Sequence, residues 1–155
     1  MARGPVTSHP LLILLARWGA QGLKHRRGAT ESEIQRFEKG KRVLLPADFR
    51  AFLSAIDGME IDVMDPETQI RFWPLAEIQS VAEELGEPRG RETHWAGLFI
   101  FADYSLWAHG YAIRLTEDPH GTNPVVIVGG DIPLQVATSF SHFLEKYVED
   151  TRQLF

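Results

Sequence analysis

Apolar residues recur along this chain with two different periods, and the change between them separates helical from extended regions. From Pro10 to Leu23 the positions Leu11, Leu12, Leu14, Leu15, Trp18 and Leu23 form a crowded helical pattern with a wide stripe to bury; Gly19 to Gly22 mark where this first helix should stop. A basic connector, Lys24-His25-Arg26-Arg27-Gly28, leads to Thr30-Glu31-Ser32-Glu33. Thr30 can cap an amide of the next helical turn while Glu33 reaches back, so a second helix is predicted here, with Ile34 and Phe37 inward and fraying around Gly40. The clearest helix is the third, Leu45 to Gly58, in which Phe49, Phe52, Leu53 and Ile56 fall at i, i+3, i+4 and i+7. Pro46 suits its first position and Gly58 suits a left-handed residue that ends it.

From Glu60 the period becomes two. Ile61 and Val63 alternate with acids, and Ile70 and Phe72 alternate with Arg71 and Trp73 across the turn-like Asp65-Pro66-Glu67, which predicts a hairpin. Pro74 to Leu85 returns to helical spacing, and Gly86 to Thr93 reads as a mobile loop. Leu98 to Ala102 is apolar throughout, as a central strand covered on both faces would be. Tyr111–Leu115 and Val125–Val128 are two more strands separated by the polar loop Glu117 to Asn123, and Ser139 to Val148 closes the chain with an amphipathic helix. Helices, then strands, then a helix predict an α+β domain with a mostly antiparallel or mixed sheet, flanked by N-terminal helices and a C-terminal amphipathic helix.

The 155 residues fit one domain, residues 1–155, and their 44% hydrophobic content fits a folded core. A net charge of −5 gives no generic attraction for nucleic acid. That average hides a basic front and an acidic middle: between Asp57 and Glu92 ten acids face only Arg71, Arg89 and Arg91. The apolar run Leu11 to Ala16 is far shorter than the ~20 residues of a spanning helix, and Ala16-Arg17-Trp18 is a poor signal-cleavage site, so no membrane anchor is expected and the start reads as mature cytoplasmic sequence.

Candidate chemistry is sparse. The absence of cysteine excludes disulfides, thiolate nucleophiles and Cys-ligated metals. His9, His25, His94, His109, His120 and His142 include no pair at metal-binding spacing. Asp103, His109, Asp118 and His120 could converge at a sheet end, but isolated His and Asp in loops are ordinary. Ser105 between Asp103 and His109 lacks a nucleophile elbow, and Gly129-Gly130-Asp131 lacks the remainder of any phosphate-binding motif and reads as a tight turn. No catalytic, cofactor or metal site is therefore expected. Two readings of the acidic middle stay open: a surface that pairs with the Lys and Arg of a basic cleft, or a solvated edge that discourages sheet-to-sheet aggregation. On the first, the candidate partner-binding residues are Asp57, Glu60, Asp62, Asp65, Glu67, Glu83, Glu84, Glu87 and Asp103, with Trp95 as an interface anchor.

The run Ala29 to Met59 resembles the SUKH superfamily, also called SMI/KNR-like after fungal cell-wall synthesis regulators. Glu31, Glu33, Ile34 and Glu38 match its E-x-E-I-x-x-x-E segment; Leu45, Pro46, Asp48, Phe49, Arg50, Phe52 and Leu53 match L-P-x-D-F-R-x-F-L; Asp57-Gly58 stands where Asn-Gly is usual. Trp73 to Ile78, Ile100 to Asp103 and a closing helix Val136 to Leu144 extend the likeness over roughly residues 10–150. The resemblance implies a non-enzymatic binding domain with no cofactor. In bacteria such domains are commonly immunity proteins that bind a cognate polymorphic or contact-dependent toxin, often a nuclease; the alternative it implies is a regulatory or scaffold protein without a toxin. Residues 60–95 have no counterpart in the family pattern, and Pro46, Phe49, Phe52, Gly58, Phe140 and Phe143 read as fold-makers.

Overall fold

The computed structural model describes residues 9–86 and 95–155. Three helices, α1 (His9–Gln21), α2 (Glu31–Lys41) and α3 (Ala47–Ala55), precede strand β1 (Ile70–Phe72). A single 3-10 turn (Leu75–Glu77), β2 (Gln79–Ser80) and the short α4 (Val81–Leu85) follow, then β3 (Leu98–Tyr104), β4 (His109–Arg114), β5 (Val125–Val128), β6 (Leu134–Ala137), α5 (Phe140–Glu149) and a last 3-10 turn (Thr151–Leu154). The strands form a six-stranded antiparallel sheet ordered β1-β3-β4-β5-β6, with β2 continuing β1 along the same edge of β3. The chain is thus α+β, with α5 packed against α1.

The N-terminal helices form where their local chemistry asks for them. Thr30 and Glu33 make the reciprocal capping box at α2, and Arg42 ends that helix in the left-handed region. Arg50 of α3 grips Glu31 at 2.7 Å and Glu38 at 2.8 Å, while Glu38 also accepts the Leu45 amide, so α2 and α3 are locked across their connection. Asp48 accepts both the amide and the hydroxyl of Ser141, tying the start of α3 to the first turn of α5. The core between helices and sheet is largely aromatic. Phe72 lies at its centre, within 5.1–5.6 Å of Phe52, Tyr147 and Trp18, and Phe49, Phe101, Phe140 and Phe143 extend the cluster.

Several predicted elements differ. Helix α3 stops at Ala55 because Ile56 turns extended and bridges to Arg27, so Gly58 is not its terminator. Gly58 is left-handed (φ 64°) for another reason: the backbone of Trp73 and Pro74 crosses over it, where a Cβ would overlap both. The hairpin at Ile61–Val63 is absent, since residues 60–69 form turns and β1 pairs with β3 instead. Pro74–Leu85 breaks into a 3-10 turn, a strand and a five-residue helix, because Ser80 makes its own capping box with Glu83 and restarts the chain there. Val136 and Ala137, read as part of the closing helix, belong to β6, and Ser139 caps α5. The predicted loop beyond Gly86 lies outside the described residues.

At the far end of β4, His109 stacks on Tyr104 with ring centroids 5.0 Å apart, packs against Phe155, and shares a hydrogen bond with Tyr111, whose hydroxyl donates to the Leu154 carbonyl. Burial depresses the His109 pKa. The folded state therefore favours neutral imidazole: this contribution is complete above the unfolded value of about 6.5 and is lost as pH falls below it. Urea midpoints should drop further on acidification in the native chain than in His109→Gln; equal pH slopes would refute the linkage. Gly58→Ala should lower unfolding free energy by about 3 kcal/mol in the same assay, and a change within error would refute the close approach at this position.

Candidate functional site

The acidic middle, once folded, is no continuous surface. Asp65 is completely buried: one carboxylate oxygen accepts from the Trp18 indole at 2.9 Å and the Tyr147 hydroxyl at 2.6 Å, and the other accepts the Glu67 amide. The Tyr147 hydroxyl is held well above its ordinary pKa by burial first and the neighbouring carboxylate second, so it stays a donor. Asp57 is buried under Arg26 and accepts the Leu75 amide at 2.7 Å. Asp103 is buried and accepts the Trp73 indole at 2.6 Å. Trp95, expected as an interface anchor, is 2% exposed. Asp57, Asp65 and Trp95 are therefore interior side chains rather than the surface ones expected, each 5% exposed or less, whereas Asp103, 7% exposed, lines the base of the pocket described below. Glu87 lies outside the described residues.

The others are at the surface. Glu60 pairs with Arg26 at 2.8 Å, and Glu83 pairs with Lys41 at 2.8 Å, a hydrogen bond that lowers its pKa. Asp62, Glu67 and Glu84 make no ion pair among the described residues. Of the weaker metal candidates, Asp103 lies opposite Gly110 beside His109, whereas Asp118 and His120 sit past the other end of β4. Among the described residues no group of three or more His, Asp or Glu is gathered closely enough to hold a metal ion.

What the fold does assemble is a pocket of about 330 Å3 lined by β1, β3, the β3–β4 turn, α4 and the 60–69 segment. Side chains alternate along β1, so Phe72 enters the core while Arg71 and Trp73 point the other way. Register places Arg71 beside Asp103, and Asp103 beside Gly110 of β4. The Arg71 guanidinium is buried and each of its three nitrogens is engaged: Nε donates to the Glu60 carbonyl, Nη2 to the Met59 carbonyl, and Nη1 and Nη2 to the Glu77 carboxylate. Burying this cation is tolerable because each nitrogen of its fork meets an acceptor and one of them is a carboxylate. It also pins the 59–60 backbone over β1, which puts Ile61 and Met64 on the pocket rim.

The opposite rim is the β3–β4 turn, where Ser105, Leu106 and Trp107 are successively left-handed (φ 47°, 54° and 73°). Each such non-glycine residue costs roughly 1–2 kcal/mol, so the turn must be held from outside. Hydrogen bonds from the Ser105 amide to the Gln69 carbonyl and from the Ala108 amide to the Tyr104 carbonyl hold it. Gly110 leaves room for the Trp107 ring, which a Cβ there would approach to 2.9 Å, and Trp107 meets Trp73 edge-on at 5.6 Å. Ile61 and Leu106 are left about 80% exposed (80% and 79%), with Trp107 at 37%. Sequence reasoning missed this rim. The available signal was an apolar pair, Leu106-Trp107, in a tight turn that holds no Gly, Asn or Asp.

The fold defines a helix-flanked antiparallel α+β domain with a pocket at one sheet face. A profile of the SMI1 / KNR4 family (SUKH-1) matches residues 28–146, and the chain belongs to that family, which is known for immunity proteins and is generally non-catalytic. No curated protein gives a significant match. The match begins just before the α2 capping box and ends within α5, so it takes in the pocket and leaves out α1.

The buried Asp65 generates a prediction. Asp65→Ala strands the Trp18 and Tyr147 donors and should cost about 3 kcal/mol in urea unfolding, with Asp65→Asn costing less than half as much because it keeps an acceptor. Unchanged stability in Asp65→Ala would refute the structural role.

Proposed function

We propose that the protein is an immunity-type binder that neutralises a cognate protein toxin, a nuclease or another enzyme with a basic cleft, by covering it. Membership of the SMI1/KNR4 family supports the reading, and the observation that carries it is the exposed apolar group Ile61, Leu106 and Trp107, with Glu60, Asp62 and Glu67 on the segment of Ile61 and Glu84 lining the same pocket. Exposed apolar anchors supply the contact energy of a protein interface, while flanking carboxylates steer a basic partner and reject acidic ones. The partner surface is accordingly smaller than the whole acidic stretch, because Asp57 and Asp65 serve the interior. The protein acts in the cytoplasm in this reading, and no helix among the described residues is long and apolar enough to cross a membrane.

The test uses the toxin-domain gene nearest to this one in its source genome, expressed in a bacterial host with and without the protein. Survival only in the presence of the protein is expected, and calorimetry on the purified pair should show affinity reduced about tenfold, more at low salt, by Asp62→Lys with Glu67→Lys. Absence of any neighbouring toxin against which it protects would overturn the reading in favour of a regulatory or scaffold role. Unchanged affinity in the charge-reversed variant would overturn the acidic contribution.

A further inference from the structure

The pocket between Trp73 and Trp107 has a composition that selects one kind of side chain. Its walls are apolar and aromatic: Ile61, Met64, Trp73, Leu106 and Trp107. Its charged groups are Arg71, Glu77, Glu84 and Asp103. Arg71 is neutralised by its contact with Glu77 through both Nη1 and Nη2. Glu84 and Asp103 remain in excess, so the lining is net negative by two charges. Asp103 is buried at the base with the Trp73 indole donated to it, which fixes both the carboxylate and the ring beside it.

We infer that this pocket captures the side chain of a partner lysine or arginine, with the aliphatic stem between the Trp107 and Leu106 rim and Ile61, and the cation against Trp73, Asp103 and Glu84. Aromatic faces beside carboxylates attract a desolvated cation in preference to any neutral or anionic group, and a long basic side chain can bury its methylenes while its head reaches charge. The turn is built in advance for this purpose: three left-handed residues are held by Gln69 and Gly110 with Leu106 exposed, so the rim needs no rearrangement to receive a side chain. The inference rests on the reading of this face as the partner-binding one, and it names the chemistry recognised there.

The test needs no toxin. The full chain is titrated with acetyl-arginine-amide, acetyl-lysine-amide and, as the neutral isostere of arginine, acetyl-citrulline-amide, while the indole N–H resonances of the four tryptophans are followed by NMR. The Trp73 and Trp107 signals should shift saturably with the cationic probes, with Kd on the order of 1 mM, and Trp18 should stay fixed. Glu84→Gln should weaken binding about threefold and Trp107→Ala about tenfold, the first being an isosteric change at a half-buried residue with no ion pair among the described residues, which leaves the fold intact. Equal shifts with the citrulline probe, or no saturable shift with either cation, would overturn the inference. Protection against a toxin without cation binding would sink this inference alone, and cation binding without toxin protection would sink the immunity reading alone.

Discussion

A single carboxyl group that never reaches solvent organises this molecule. Asp65 lies in an irregular segment between α3 and β1, where the backbone has few partners of its own, yet it joins the first and last helices by accepting from Trp18 and Tyr147. A buried carboxyl is expensive unless its lone pairs are used, and here three donors meet it, the third being the Glu67 amide. The same residue's backbone then sets the strand: its amide donates to the Ile70 carbonyl and its carbonyl accepts from Gln69. Since Gln69 in turn holds Ser105, the anchoring of α1 to α5 is connected through one loop to the rim of the pocket.

The same economy explains why a dense run of acids yields a modest surface charge. Arg26 reaches both Asp57 and Glu60, Arg71 takes Glu77, and Lys41 takes Glu83. The exposed ones among these, Arg26–Glu60 and Lys41–Glu83, contribute only about 0.2–1 kcal/mol each, so their effect on stability is small. Their effect on electrostatic shape is larger. The basic front of the sequence folds onto the acidic middle and cancels it locally, leaving Asp62, Glu67 and Glu84 as isolated negative points around an apolar group, where a linear reading predicts a broad acidic face.

The fold was legible where a local signal coincided with the long-range requirement. The capping box at Thr30 and Glu33, the apolar face of α3 and the uninterrupted apolar run of β3 each specify their element without reference to the remainder of the chain. The failures share a cause. Ile61 and Val63 alternate like a strand but find no partner, because Met59 already pairs with Phe72 and the Arg71 guanidinium occupies the adjoining carbonyls. Gly58 looks like a helix terminator until the crossing Trp73–Pro74 backbone is known. Asp65 and Asp103 look like surface charge because nothing local distinguishes a carboxylate that will receive an indole N–H from one that will receive water. The site was less legible than the fold for the same reason: Trp73, Trp107 and Asp103 meet only through strand register.

The strained turn deserves its own balance, since a protein could connect β3 to β4 with a glycine turn at lower conformational cost. Retaining Leu106 and Trp107 in left-handed geometry lowers the stability of the isolated chain, and leaving Leu106 four-fifths exposed forgoes the burial that would offset it. That sum is unfavourable for a fold alone; in the proposed complex, burial of the rim under a partner would offset it. Rigid presentation then matters more than area: with Trp107 fixed over Gly110 and against Trp73, little side-chain entropy remains to be lost on association, and a small rim can contribute disproportionately to affinity.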